Sequence, residues 1–114
     1  MKAYIISFYQ QEVSDDELVA YLGTKREILN LMRLLPNTVL IISDRNASFI
    51  TRLIDKKFPQ GYFIVAEYIP YNSDGSLPEE AWDFLNKPRK SRKVNRSIGK
   101  KKRAIGAKSS SKKK

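Results

Sequence analysis

The sequence predicts a small α+β domain of the ferredoxin-like, split βαβ kind (βαββαβ), followed by an extra C-terminal helix and a disordered basic tail. Three observations carry that expectation. Short β-branched and aromatic runs alternate with amphipathic stretches in the order strand, helix, strand, strand, helix, strand. Pro36-Asn37 is a turn signal that brings two of those strands together as a hairpin. The last 28 residues carry 14 Lys or Arg and no Asp or Glu, with too few apolar side chains to bury a core of their own.

Residues 1–9 (MKAYIISFY) read as a buried strand. Ser14 opens a helix: its hydroxyl can accept from free N–H groups, Glu17 stands three residues on as in a capping box, and Asp15, Asp16 and Glu17 suit the positive dipole end. Leu18, Val19 and Leu22 give that helix its apolar face, and Gly23 stops it. Residues 24–35 are ambiguous. Thr24 and Glu27 repeat the capping-box spacing, whereas Ile28, Leu29, Leu31, Met32, Leu34 and Leu35 are too uniformly apolar to separate helix from strand. The turn at Pro36-Asn37 favours a hairpin pairing residues 31–35 with 39–43; an all-helical 24–35 would instead give a three-stranded parallel sheet.

Residues 38–43 (TVLIIS) form the next strand. Asp44, Asn46 and Ser48 offer caps for the clearest helix, in which Phe49, Ile50, Leu53, Ile54 and Phe58 share a face opposite Thr51, Arg52, Asp55 and Lys56. Pro59-Gln60-Gly61 ends it, and residues 62–69 (YFIVAEYI) are the last long strand. Pro78 stands at the first position of a short helix over 79–86, from which Trp82 and Leu85 are expected to dock on the body. The domain is therefore expected to span 1–86 and the tail 87–114.

The charge is split along the same boundary. Residues 1–86 hold 8 basic and 12 acidic side chains, a balance of −4, against +14 for the tail. Cys is absent, which excludes disulfides and thiol chemistry; His is absent, which removes imidazole zinc sites and the usual general base at neutral pH. The apolar run 3–9 is too short to span a membrane and lacks the layout of a secretion signal, so a soluble, cytoplasmic or nucleoid-associated protein with no membrane partner is expected.

The stretch Ile28-Leu29-Asn30, Leu34 to Asp44 (LLPNTVLIISD), then an amphipathic helix and Tyr62-Phe63-Ile64-Val65-Ala66-Glu67, resembles the small SinR-like proteins of bacteria and phages. The ending Gly75-Ser76-Leu77-Pro78, Ala81 to Pro88, looks like a variant of the same kind. Such proteins are similar in fold to the second CRISPR-associated adaptation protein and to virulence-associated protein D, which are ferredoxin-like dimers and in some cases metal-dependent nucleases. The resemblance implies a homodimer and carries no catalytic residue across. Where those nucleases place an Asp at the end of the first strand, this chain reads Ser7-Phe8-Tyr9-Gln10. Binding Mg²⁺ for phosphodiester hydrolysis needs anionic oxygens, and Asp44 and Glu67 are the only carboxylates near strand ends, each read as a cap or salt-bridge partner. No metal ligand, cofactor or catalytic residue is assigned.

Function is expected in the tail. Lys87, Arg89, Lys90, Arg92, Lys93, Arg96, Lys100, Lys101, Lys102 and Arg103 are the candidate nucleic-acid-binding residues. Dense like charge repels, and Gly and Ser between the clusters favour disorder. The fitting counter-surface is the phosphate backbone of DNA or RNA, held without reading bases. Solubility or targeting accounts for such a tail in other proteins, and an anionic membrane lacks an apolar face here to bury. Tyr4, Tyr9, Tyr62, Phe63 and Tyr68 lie on predicted strands, and Gly61 to Val65 has a passing likeness to a base-stacking RNA-recognition strand. With residues 62–69 at a sheet edge, core packing or dimer contact is the expected role of these rings. Two rival readings are a metal-dependent ribonuclease or deoxyribonuclease using Asp44 or Glu67, and a protein-binding regulator from a mobile element.

Overall fold

The computed structural model describes residues 1–9 and 13–91. In chain order they form β1 (Lys2–Phe8), α1 (Asp15–Gly23), β2 (Asn30–Leu35), β3 (Thr38–Ser43), α2 (Ala47–Lys57), β4 (Phe63–Glu67), a 3₁₀ turn (Pro70–Asn72) and α3 (Glu79–Asn86). The four strands make one antiparallel sheet in the order β2-β3-β1-β4. This is the ferredoxin-like arrangement: each βαβ unit leaves a gap of one strand, which the other unit fills.

Residues 24–35 resolve as the hairpin. Thr24 closes α1, its hydroxyl donating to the Tyr21 carbonyl at 2.7 Å, and residues 25–29 turn into β2 without a further helix. Asn37 adopts φ 68° at the tip, a left-handed conformation that Asn tolerates better than most residues. Met32 then faces Leu40, and Asn30 faces Ile42.

The sheet is covered on both faces. Tyr4, Ile6, Val39 and Ile41 point to α1 and α2, where Leu18, Leu22, Ile50 and Ile54 complete the larger core. Ala3, Leu40 and Ile42 point the other way and meet Tyr68 and α3. Helix α3 buries Ala81, Phe84 and Leu85, spaced i, i+3, i+4, while Trp82 lies half-buried at the flank. Trp82 and Leu85 both dock as expected, Leu85 buried and Trp82 at the flank with its ring centre 6.5 Å from that of Tyr68, and Ala81 and Phe84 complete the stripe on the Leu85 face of the helix.

Capping follows the local chemistry. Ser14 Oγ accepts from the Glu17 N–H at 3.1 Å, and Asn46, one of three candidates, caps α2 by accepting from the Phe49 N–H at 2.9 Å. The last strand is shorter than expected, ending at Glu67 instead of residue 69. The chain also stays on the body past residue 86. Asn30 Nδ2 donates to the Arg89 carbonyl at 3.2 Å, and the Ser91 N–H donates to the Leu29 carbonyl at 2.8 Å.

Candidate nucleic-acid interface

Two of the three described cations of the basic segment meet one carboxylate. Asp83, on the last turn of α3, receives Arg89 Nη2 at 2.6 Å and stands 3.4 Å from Lys87 Nζ. Arg89 Nη1 also donates to the Lys87 carbonyl at 2.8 Å, closing a small loop after the helix. The Arg89 hydrogen bond holds the Asp83 carboxyl below the usual carboxylate range; desolvation opposes that shift and Lys87 adds to it. Two of the expected phosphate ligands, Lys87 and Arg89, are therefore engaged by the body's own acid. Lys90 is exposed and makes no ion pair among the described residues. Arg92, Lys93, Arg96, Lys100, Lys101, Lys102 and Arg103, with the rest of 92–114, lie outside the described residues, as does the expectation of disorder there.

The sheet face opposite α1 and α2 is the one on which a base-stacking module would expose rings. Here α3 occupies part of it. Tyr4 and Tyr68 are core residues on opposite faces and Phe63 packs against the larger core, whereas Tyr9 and Tyr62 are exposed. Ile64 is also exposed, at 62 %, on the edge strand β4.

Sequence reasoning overlooked a basic margin on the body, where the ends of β2 and β3 meet the start of α2. A shallow cleft of about 380 Å³ is lined by Arg26, Glu27, Leu29, Asp44 and Arg45. A second, of about 370 Å³, shares Asp44 and Arg45 and adds Lys2, Asn46, Phe49 and Arg52. Buried Ser43 ties this region together: its hydroxyl donates to the Glu27 carbonyl at 2.7 Å and accepts from the Arg45 N–H at 3.1 Å. The Arg45 carbonyl in turn accepts from the Tyr4 phenol at 2.6 Å. Burial, then the nearby Glu67 charge, pushes the Tyr4 hydroxyl above its ordinary value, so it remains a donor. The Arg45 guanidinium lies 4.6 Å from the centre of the Phe49 ring. The available sequence signal was Arg45 itself, placed between a strand end and a helix cap, a junction where loops carry function on a rigid scaffold.

The two carboxylates weighed as metal ligands stand apart in role. Asp44 Oδ1 lies 3.2 Å from the Met1 amino group, and Glu67 closes β4 opposite Tyr4. Among the described residues, no three of His, Cys, Asp and Glu gather where they could hold a metal ion, and no helix is long and apolar enough to cross a membrane. No protein-family model matches the chain, and neither a curated protein nor a solved structure does.

Proposed function

We propose that this protein binds nucleic acid, DNA or RNA, without sequence preference, through the Lys/Arg-rich segment that follows α3, and that it does so in the cytoplasm as a homodimer of the SinR-like kind. The observation that carries the reading is the charge run itself. Residues 87–114 hold 14 cations and no anion, and a phosphate polymer is the counter-surface that such a run fits. The contacts of Asp83 refine the reading: Lys90 and the 11 basic residues from Arg92 onward supply the phosphate contacts, while Lys87 and Arg89 anchor the segment. The homodimer is supported by the open edge of β4, where Ile64 exposes apolar surface, with exposed Tyr62 just before the strand.

A chain ending at Ser91 keeps the anchor and removes those 11 charges. It is expected to lose retention of labelled DNA and RNA in a gel-shift assay while keeping the circular dichroism of the full chain. Undiminished binding by that shortened chain would falsify the tail's role. Light scattering of the purified chain tests the dimer, and a mass of one copy contradicts it.

A further inference from the structure

We infer that the body contributes its own phosphate-binding track to this interface: Arg26, Arg45 and Arg52, flanked by Lys2 and Lys56, grip the nucleic-acid backbone alongside the C-terminal segment. The inference rests on the nucleic-acid reading above and names the body's share in it. The net charge of −4 over residues 1–86 conceals a segregation. The two clefts of this margin, with a third lined by Phe49, Arg52, Leu53 and Lys56, bring together five cations, Lys2, Arg26, Arg45, Arg52 and Lys56, against two acids, Glu27 and Asp44. The rest of residues 1–86 then carries three basic and ten acidic side chains.

These arginines differ from the basic groups that ion pairs already occupy. Arg33 is paired with Asp16 at 2.6 Å, and Lys87 and Arg89 with Asp83. Arg26, Arg45 and Arg52 are exposed and make no ion pair among the described residues. Asp44, which faces both clefts, has the Met1 amino group at 3.2 Å. Arg45 is also preorganised. Its N–H and carbonyl are both fixed by buried partners, Ser43 and Tyr4, and its guanidinium rests on Phe49. Less rotamer freedom is then lost when it meets a phosphate, and the planar fork suits two oxygens at once. Arg52 and Lys56 stand one helical turn apart on α2 and continue the line.

The described part of the C-terminal segment ends on the same element that lines the first cleft. Leu29, which lines the first cleft with Arg26 and Arg45, accepts the Ser91 N–H at 2.8 Å, so the described chain ends at a residue of that cleft. The clefts are open and shallow, which fits a polymer backbone laid across them. Phe49 supports Arg45 and is itself half-buried, so the margin holds phosphates and reads no base.

The test uses the full chain and fluorescence anisotropy of a labelled DNA duplex of about 20 base pairs, titrated from about 50 to about 300 mM salt. The triple variant Arg26→Ala, Arg45→Ala, Arg52→Ala is expected to weaken binding by roughly tenfold per arginine at about 0.1 M salt and to flatten the log–log salt slope by about 2–3. Replacement of the same three by Lys is expected to restore most of that slope, and Arg33→Ala to leave it unchanged. If the triple Ala variant keeps the parent affinity and slope while neutralising the basic residues from Arg92 onward abolishes binding, the inference is overturned and the tail reading stands. If the triple Ala variant weakens binding while the neutralised tail does not, the track stands and the tail reading falls. Failure of the Lys replacement to restore the salt slope, or no binding by the parent chain, overturns the track.

Discussion

Ser43 is a single hydroxyl on which two loops depend. Buried at the end of β3, it donates to Glu27 in the turn before β2 and accepts from Arg45 in the turn before α2. Ser43→Ala leaves a carbonyl and an N–H without that partner, and is expected to cost about 1–3 kcal/mol. A denaturation midpoint unchanged from the parent would contradict this. Asp83 works at the surface and is read by pH. Its carboxyl is held below the ordinary range in the fold, so its pairing is fully present above the unfolded value and is lost as pH falls through the depressed folded value. The anchor should accordingly hold unchanged across neutral pH and release only in acid. Asp83→Asn should release it at neutral pH, seen as faster tryptic cleavage after Arg89 or Lys90; equal cleavage rates would show that the segment is held by other contacts.

Elements were legible in proportion to how one-sided they are. Helix α2 shows a clean apolar face in the sequence because only one side of it is buried. Strand β2 was ambiguous for the opposite reason. Leu31 packs with the larger core while Met32 and Leu34 pack with the smaller, and a strand with apolar contacts on both faces loses the alternation that identifies it. The hairpin was recovered from Pro36-Asn37, where local turn chemistry does not depend on burial. Helix α3 was legible as a helix, and Trp82 and Leu85 dock as its sequence suggests, while Ala81 and Phe84 join Leu85 through their i, i+3, i+4 spacing. Its contribution is testable. Phe84→Ala removes a ring from the smaller core and is expected to cost about 3 kcal/mol. A negligible loss would mean that α3 merely rests on the sheet.

At the scale of the molecule, charge is distributed more finely than a body and a tail. The sequence places its longest cationic run after residue 86, but it could not reveal that Asp83 retains the first part of it, because Lys87 and Arg89 meet that acid only once α3 has formed. Nor could it reveal the basic margin: Arg26 lies far from Arg45 and Arg52 in the chain and meets them only because the turn before β2 converges with the end of β3 and the start of α2. A chain cut after Asn86 loses the Lys87 and Arg89 pairing and the Ser91–Leu29 hydrogen bond, whereas a cut after Ser91 keeps them. The shorter product is expected to melt at the lower temperature, and equal melting would contradict an anchoring role for 87–91. The central claim, that phosphate charge drives binding, is tested most directly by the salt dependence of the full chain on DNA and on RNA. If about 6–10 of its cations meet phosphates, affinity for a DNA duplex should fall roughly 10³–10⁵-fold between about 50 and about 200 mM salt, with RNA also losing affinity steeply and little difference between sequences. An affinity independent of salt, or no binding to either polymer at low salt, would contradict it.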